Sequence, residues 1–176
     1  MPIKLEDRCR KIELILSDVD GVLTDGNLAF DNQGIETKAF HIRDGLGIRL
    51  WQRAGFRFGI LTARTSQIVR MRAAELDIEI VRQGFENKLP AAQQIIEQCG
   101  LQLEQACYIG DDLTDLPVIR RVGLGVAVAD AATEVRANAH WVTSTDGGRG
   151  AVREAVEMVL KAKNRWDDLI RKYLEQ

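Results

Sequence analysis

At 176 residues the chain is long enough for one domain with a full core, and the expected unit spans 1–176. Its 45% hydrophobic and 28% charged residues are ordinary for a globular protein in water, and a formal charge of −2 gives no bulk attraction to nucleic acid or to an anionic membrane. Two distant histidines (His41, His140) and three scattered cysteines (Cys9, Cys99, Cys107) argue against a His-rich metal site, a zinc site or a disulfide framework.

No apolar run approaches the roughly 20 residues of a membrane helix. Met1–Arg8 lacks the apolar core of a secretory signal, so a cytoplasmic enzyme with reduced thiols is expected. Along the chain, apolar β-prone runs predict strands at 12–17, 56–61, 79–82, 106–109, 124–128 and 140–142. Helical spacing predicts helices at 45–54, 65–76, 88–99, 112–121, 133–137 and 149–161. This alternation specifies an α/β fold: a three-layer, Rossmann-like parallel sheet with helices on both faces. One insertion interrupts it. Asn27–Phe30 and Ile35–Phe40 flank Asp31-Asn32-Gln33-Gly34, which predicts a small β-hairpin flap over about 27–40. The tail, about 163–176, carries Trp166, Leu169, Ile170 and Tyr173 at helical spacing, an amphipathic helix that would dock on its own core or on a neighbouring chain.

The chemistry concentrates at strand ends, where open α/β sheets hold their ligands. Leu14-Ile15-Leu16-Ser17 runs into Asp18-Val19-Asp20-Gly21; in extended chain, residues 18 and 20 would face one spot. Two carboxylates so close are tolerated when a cation or a shared proton lies between them. Thr62 follows Gly59-Ile60-Leu61 and offers a hydroxyl beside free backbone N–H groups, which suits a phosphate. Lys88 opens the helix after the 79–82 strand. Gly110-Asp111-Asp112-Leu113-Thr114-Asp115 places three acids at another strand end. Asp18 and Asp20, with Asp111 or Asp115, would offer hard oxygen ligands to Mg2+. An anionic carboxylate nucleophile, a cation and phosphate-holding groups add up to phosphoryl transfer through an aspartyl-phosphate. Single residues also have plainer roles: Thr62 as a helix cap, His41 as a hydrogen-bonded structural side chain, and Arg72 as part of a solvated helix face.

In order and spacing, Asp18-Val19-Asp20-Gly21-Val22, Thr62, Lys88 and Gly110–Asp115 resemble the four motifs of the haloacid dehalogenase-like phosphohydrolases over essentially the whole chain. The resemblance implies Asp18 as nucleophile, Asp20 as general acid/base, and Thr62 and Lys88 on the phosphate. It also implies Mg2+ held by Asp18, the Asp20 backbone carbonyl and Asp111. With only the hairpin before Thr62 and 25 residues between Thr62 and Lys88, the chain resembles the capless branch, in which a homotetramer covers the site. Arg43–Arg49 and Gly147–Glu154 extend the likeness to phosphatases of 3-deoxy-D-manno-octulosonate 8-phosphate, which serve lipopolysaccharide precursor synthesis. That likeness implies a sugar-acid pocket from His41, Asp44, Gly45, Arg49, Arg64, Arg72 and Thr114. Arg64 would pair with the substrate carboxylate, where phosphatases of a nine-carbon keto-sugar acid 9-phosphate have Glu. Ala63 departs from the Gly often found there. The alternatives are that nine-carbon substrate and a non-catalytic oligomerisation module.

Overall fold

The computed structural model describes residues 3–175. In chain order these form α1 (Leu5–Lys11), β1 (Leu14–Ser17), β2 (Ala29–Phe30), β3 (Glu36–Thr37), α2 (Ile42–Arg53), β4 (Arg57–Thr62), α3 (Gln67–Glu75) and β5 (Ile80–Gln83). Then follow α4 (Lys88–Gln98), β6 (Ala106–Gly110), α5 (Leu116–Ile119), β7 (Leu124–Ala127), α6 (Thr133–Asn138), β8 (Trp141–Val142), α7 (Ala151–Ala162) and α8 (Trp166–Leu174). Six strands make one parallel sheet in the order β5-β4-β1-β6-β7-β8. Its central strands are uninterrupted apolar runs because both faces are covered: Leu14, Ile15 and Leu16 are wholly buried, as are Ala106–Ile109. Helices α2 and α7 pack together with α1 and α8, while α4, α5 and α6 form a second group. The chain builds outward from β1 through β4 to β5, then crosses to β6 on the other side of β1. That reversal opens a crevice at the carboxyl ends of β1, β4 and β6.

Three local expectations need correcting. The helix expected at 112–121 shrinks to Leu116–Ile119, because Asp111–Asp115 forms a turn in which the Asp115 carboxylate accepts from the Asp111 and Asp112 N–H groups. The hairpin strands are only two residues each, paired Ala29↔Thr37 and Phe30↔Glu36, as suits an isolated two-stranded ribbon of marginal stability. Its turn is closed by Asp31 Oδ1, which accepts from Gln33 and Ile35 N–H at 2.8 Å each. Helix α1 had no counterpart in the sequence reading: seven residues give too few turns for a period to show, yet Cys9 lies in the core and Arg8 donates to the Gly123 carbonyl at 2.7 Å. The tail helix forms as expected and docks Trp166 on its own core, with Arg153 stacked over the ring at 5.2 Å, while Tyr173 and Leu174 stay exposed. Gln176, the last position of that expected tail, and Met1 and Pro2 of the N-terminal segment lie outside the described residues. Among the described residues, no helix is long and apolar enough to cross a membrane.

Candidate active site

β1, β4 and β6 end side by side and deliver Asp18, Thr62 and Asp111 to the crevice, and the first turn of α4 brings Lys88. The Lys88 side chain is completely buried, donating to Asp18 Oδ2 and to Asp115 Oδ1, each at 2.5 Å. Burial works against its charge, but the two carboxylates outweigh that and hold its pKa above the usual lysine value. Asp18 Oδ1 accepts from the Val19 N–H at 2.6 Å. Burial and the neighbouring Asp115 charge push Asp18 up to about 6, with Lys88 pulling the other way. Thr62, the last residue of β4, is buried beside them.

Asp115 is a brace. Its Oδ1 accepts from Lys88 and from the Tyr108 hydroxyl at 2.7 Å, and its Oδ2 accepts from Asp111 and Asp112 N–H at 2.9 and 3.2 Å. A carboxylate offers about four lone-pair positions, so this one is fully used within the protein. Asp18, Asp111 and Asp115 nevertheless each bring an oxygen within 4.8 Å of the others, the grouping expected of metal ligands. Asp111 is the opposite case. Its Oδ1 is buried with no hydrogen-bond partner, and burial, then Asp115 and Asp18, raise its pKa to about 8. A buried acceptor with no donor, inside a carboxylate cluster that resists ionising, fits a small divalent cation.

Gly21 makes that closeness possible. Its φ is +87°, and a Cβ there would lie 2.0 Å from Asp111 Oδ2. Gly147 and Gly148, from the segment between β8 and α7, pack against this loop: a Cβ on Gly147 would fall 1.7 Å from the Gly21 carbonyl oxygen, and Gly148 donates to the Val22 carbonyl at 2.8 Å. The Thr24 hydroxyl accepts from Gly21 and Gly26 N–H at 3.3 and 3.2 Å, closing the turn.

Residues 18 and 20 were expected to face one spot just past the end of the strand. β1 stops at Ser17, and the chain bends at Val19 and turns from Asp20, so the two carboxylates take different partners: Asp18 the buried Lys88, and Asp20 the hairpin. The Asp20 carboxylate is held by Lys38 of the hairpin and lies 3.8 Å from Arg64. Arg64 also pairs with Glu36 at 2.7 Å. The proposed sugar-acid residues do not form one group. His41, Asp44, Gly45 and Arg72 share a small, mostly apolar cavity with Phe40, over which Arg72 stacks at 5.7 Å. Within it His41 caps α2, accepting from the Arg43 N–H at 3.3 Å. Asp44 Oδ1 accepts from the Arg153 N–H at 2.8 Å in the first turn of α7, and burial raises its pKa against that bond. Arg49 stands apart from these residues. It lies seven residues into α2, roughly 10 Å back toward the amino ends of the strands, and pairs there with Asp77 at 3.0 Å. Thr114 is exposed in the turn after β6.

The sequence reading missed Lys38, Thr24, Tyr108 and the packing of Gly147-Gly148. Only the glycine pair had a visible signal, since adjacent glycines mark a close approach of backbone. Comparison with known proteins agrees with the geometry. Residues 61–155 match the family model described as haloacid dehalogenase-like hydrolase. A Yersinia pestis protein named 3-deoxy-D-manno-octulosonate 8-phosphate phosphatase is 44% identical over 158 residues, 90% of this chain and 84% of that protein. The chain belongs to the haloacid dehalogenase-like hydrolases.

Among solved structures of that family, the Moraxella catarrhalis octulosonate 8-phosphate phosphatase, in complex with magnesium, phosphate and the sugar acid, superposes with a TM-score of 0.94. It is 39% identical, and the match covers 96% of this chain and 97% of that one. A cobalt-bound Haemophilus influenzae deoxy-D-mannose-octulosonate 8-phosphate phosphatase gives 0.90 at 40% identity, with 95% and 99% covered. As a haloacid dehalogenase-like hydrolase the chain takes a divalent metal such as Mg2+, which the Asp18 and Asp111 oxygens suit.

Proposed function

We propose that the chain is a magnesium-dependent phosphatase that hydrolyses 3-deoxy-D-manno-octulosonate 8-phosphate to the free sugar acid and phosphate. The observation that carries the chemistry is the convergence of Asp18, Lys88 and Asp111 at three neighbouring element ends, with Asp111 Oδ1 buried and unpartnered. The substrate rests on the relatives, which bear that name across nearly their whole length, and on Arg64 beside Asp20, a cation for the sugar-acid carboxylate.

Asp18 attacks phosphorus through a carboxylate oxygen; the bond from phosphorus to the sugar oxygen breaks, and Asp20 gives that oxygen a proton. Water then attacks the phosphorus of the aspartyl-phosphate and passes a proton to Asp20; the Asp18–phosphorus bond breaks, restoring Asp18 and releasing phosphate. Lys88 and Thr62 hold the phosphoryl oxygens and stabilise the charge that builds on them. Bound magnesium supplies charge neutralisation, so that one anion can approach another. Asp18, the Asp20 main-chain carbonyl and Asp111 would hold it, while Asp115 keeps Lys88 in place. His41, Asp44, Gly45 and Arg72 border the sugar acid on the hairpin side.

The protein acts as one domain, in the cytoplasm, as a homotetramer. Support for assembly comes from the hairpin, whose Leu28, Phe30 and Ile35 are each more than half exposed. Phosphate release from a panel of sugar-acid and aryl phosphates, with magnesium and with EDTA, tests the proposal. The octulosonate ester should be turned over far faster than the others, and only with metal; equal rates on simple esters would exclude the named substrate.

A further inference from the structure

The hairpin meets the reaction site through charge. Its apolar residues Leu28, Phe30 and Ile35 point outward, whereas Lys38, at the end of β3, turns inward until only 1% of its side chain is exposed. There its ammonium group donates to Asp20 Oδ1 and lies 3.3 Å from Glu36 Oε1. Arg64 approaches the same two acids from the end of β4, at 2.7 Å from Glu36 but only 3.8 Å from Asp20 Oδ2. Two acids and two bases thus form a neutral cluster, in which Lys38 alone makes a close hydrogen bond to Asp20.

A lysine ammonium is strongly hydrated, and removing it from water is costly unless something specific is gained. Fastening a flap needs no such group, since an apolar contact would serve. The cluster is also poorly made for stability alone. Glu36 Oε1 and Arg64 Nη1 are buried without a hydrogen bond of proper geometry, despite their ion-pair distances. Broken satisfaction rules of this kind are characteristic of sites kept for function. Asp20 itself lies in the turn after β1, and among the described residues Lys38 makes the one side-chain hydrogen bond to its carboxylate. That bond constrains the rotamer: it engages Oδ1 and leaves Oδ2 turned to the Arg64 side.

We infer that Lys38 is a positioning residue for Asp20, so that the hairpin is part of the working site. This rests on the reading of Asp20 as the group that exchanges a proton with the leaving oxygen and with water. A correctly aimed proton carrier is worth on the order of a hundredfold or more in rate. Loosening its rotamer forfeits part of that and leaves phosphate binding by Lys88 and Thr62 intact.

A double-mutant cycle tests the inference, with Lys38→Met, Asp20→Asn and the pair, each assayed for kcat and KM with magnesium, and each checked for an unchanged thermal transition. Asp20→Asn should lower kcat by about a hundredfold or more. Lys38→Met should lower kcat by about tenfold or more with little change in KM, and the same change in the Asp20→Asn background should cost nothing further. Lys38→Ala, which removes the stem as well, should recover turnover when methylammonium is added, and Asp20→Asn should not. Full activity of Lys38→Met, or an equal loss with and without Asp20, would overturn the inference while leaving the Asp20 reading intact. Full activity of Asp20→Asn would instead remove the reading on which it rests.

Discussion

Replacing Lys88 with Met separates the electrostatics of the buried cluster from its packing. The two side chains have similar volume, so the void is small, but two carboxylates lose the ammonium group 2.5 Å from each. Removing one partner of a buried ion pair costs about 3–5 kcal/mol, because the other charges stay behind without compensation. For a chain of this size each kcal/mol moves the thermal midpoint by about 2–4 °C, so a fall of about 6–20 °C is expected. The loss should also depend on pH. Asp18 already sits at about 6 with Lys88 pulling it down, and without Lys88 it rises further. A carboxylate raised in the folded state binds a proton there before it does in the unfolded chain, so its penalty is full above the folded value and shrinks as pH falls through it. Urea unfolding of both proteins in EDTA, at a pH above about 8 and at one below about 6, reads this directly. A loss below about 1 kcal/mol, or one independent of pH, would refute the claim that this lysine neutralises the nucleophile.

Gly21→Ala should weaken magnesium binding and lower stability by about 2–4 kcal/mol, from a left-handed backbone penalty together with a methyl placed 2.0 Å from the Asp111 carboxylate; titration calorimetry and urea unfolding measure the two effects. Magnesium should raise the thermal midpoint more at a pH above about 8 than near 6. Without metal, Asp111 holds its proton up to about 8 in the folded state but loses it near 3.8 when unfolded, so metal-free stability falls as pH rises between those values. The cation offsets that loss by taking the proton's place. Differential scanning with and without metal at the two pH values checks this; an equal gain at both would contradict it.

The sheet was legible because its strands obey the simplest rule available, unbroken apolar runs where both faces are covered. Thr62, Lys88 and Asp111 were legible because each closes or opens such an element, so their placement follows once the elements are known. The contacts between elements were not. Nothing in Glu36-Thr37-Lys38 announces a lysine that folds inward to Asp20, since a charged residue in a polar hairpin ordinarily faces water. Asp115 looked like one more acid in a run of three, and its four donors come from three separate segments. Arg49 illustrates the converse: a residue in a motif-like stretch is carried to the other end of the sheet by two turns of helix.

The central claim concerns Asp18 alone, and it is tested most directly by quenching the enzyme in acid during turnover of substrate labelled in its phosphate, then mapping the label by peptide mass spectrometry. The account predicts a labile phosphoryl group on the peptide carrying Asp18, absent in Asp18→Asn. Label on any other residue, or none on the protein while turnover proceeds in the Asp18→Asn variant, would contradict it.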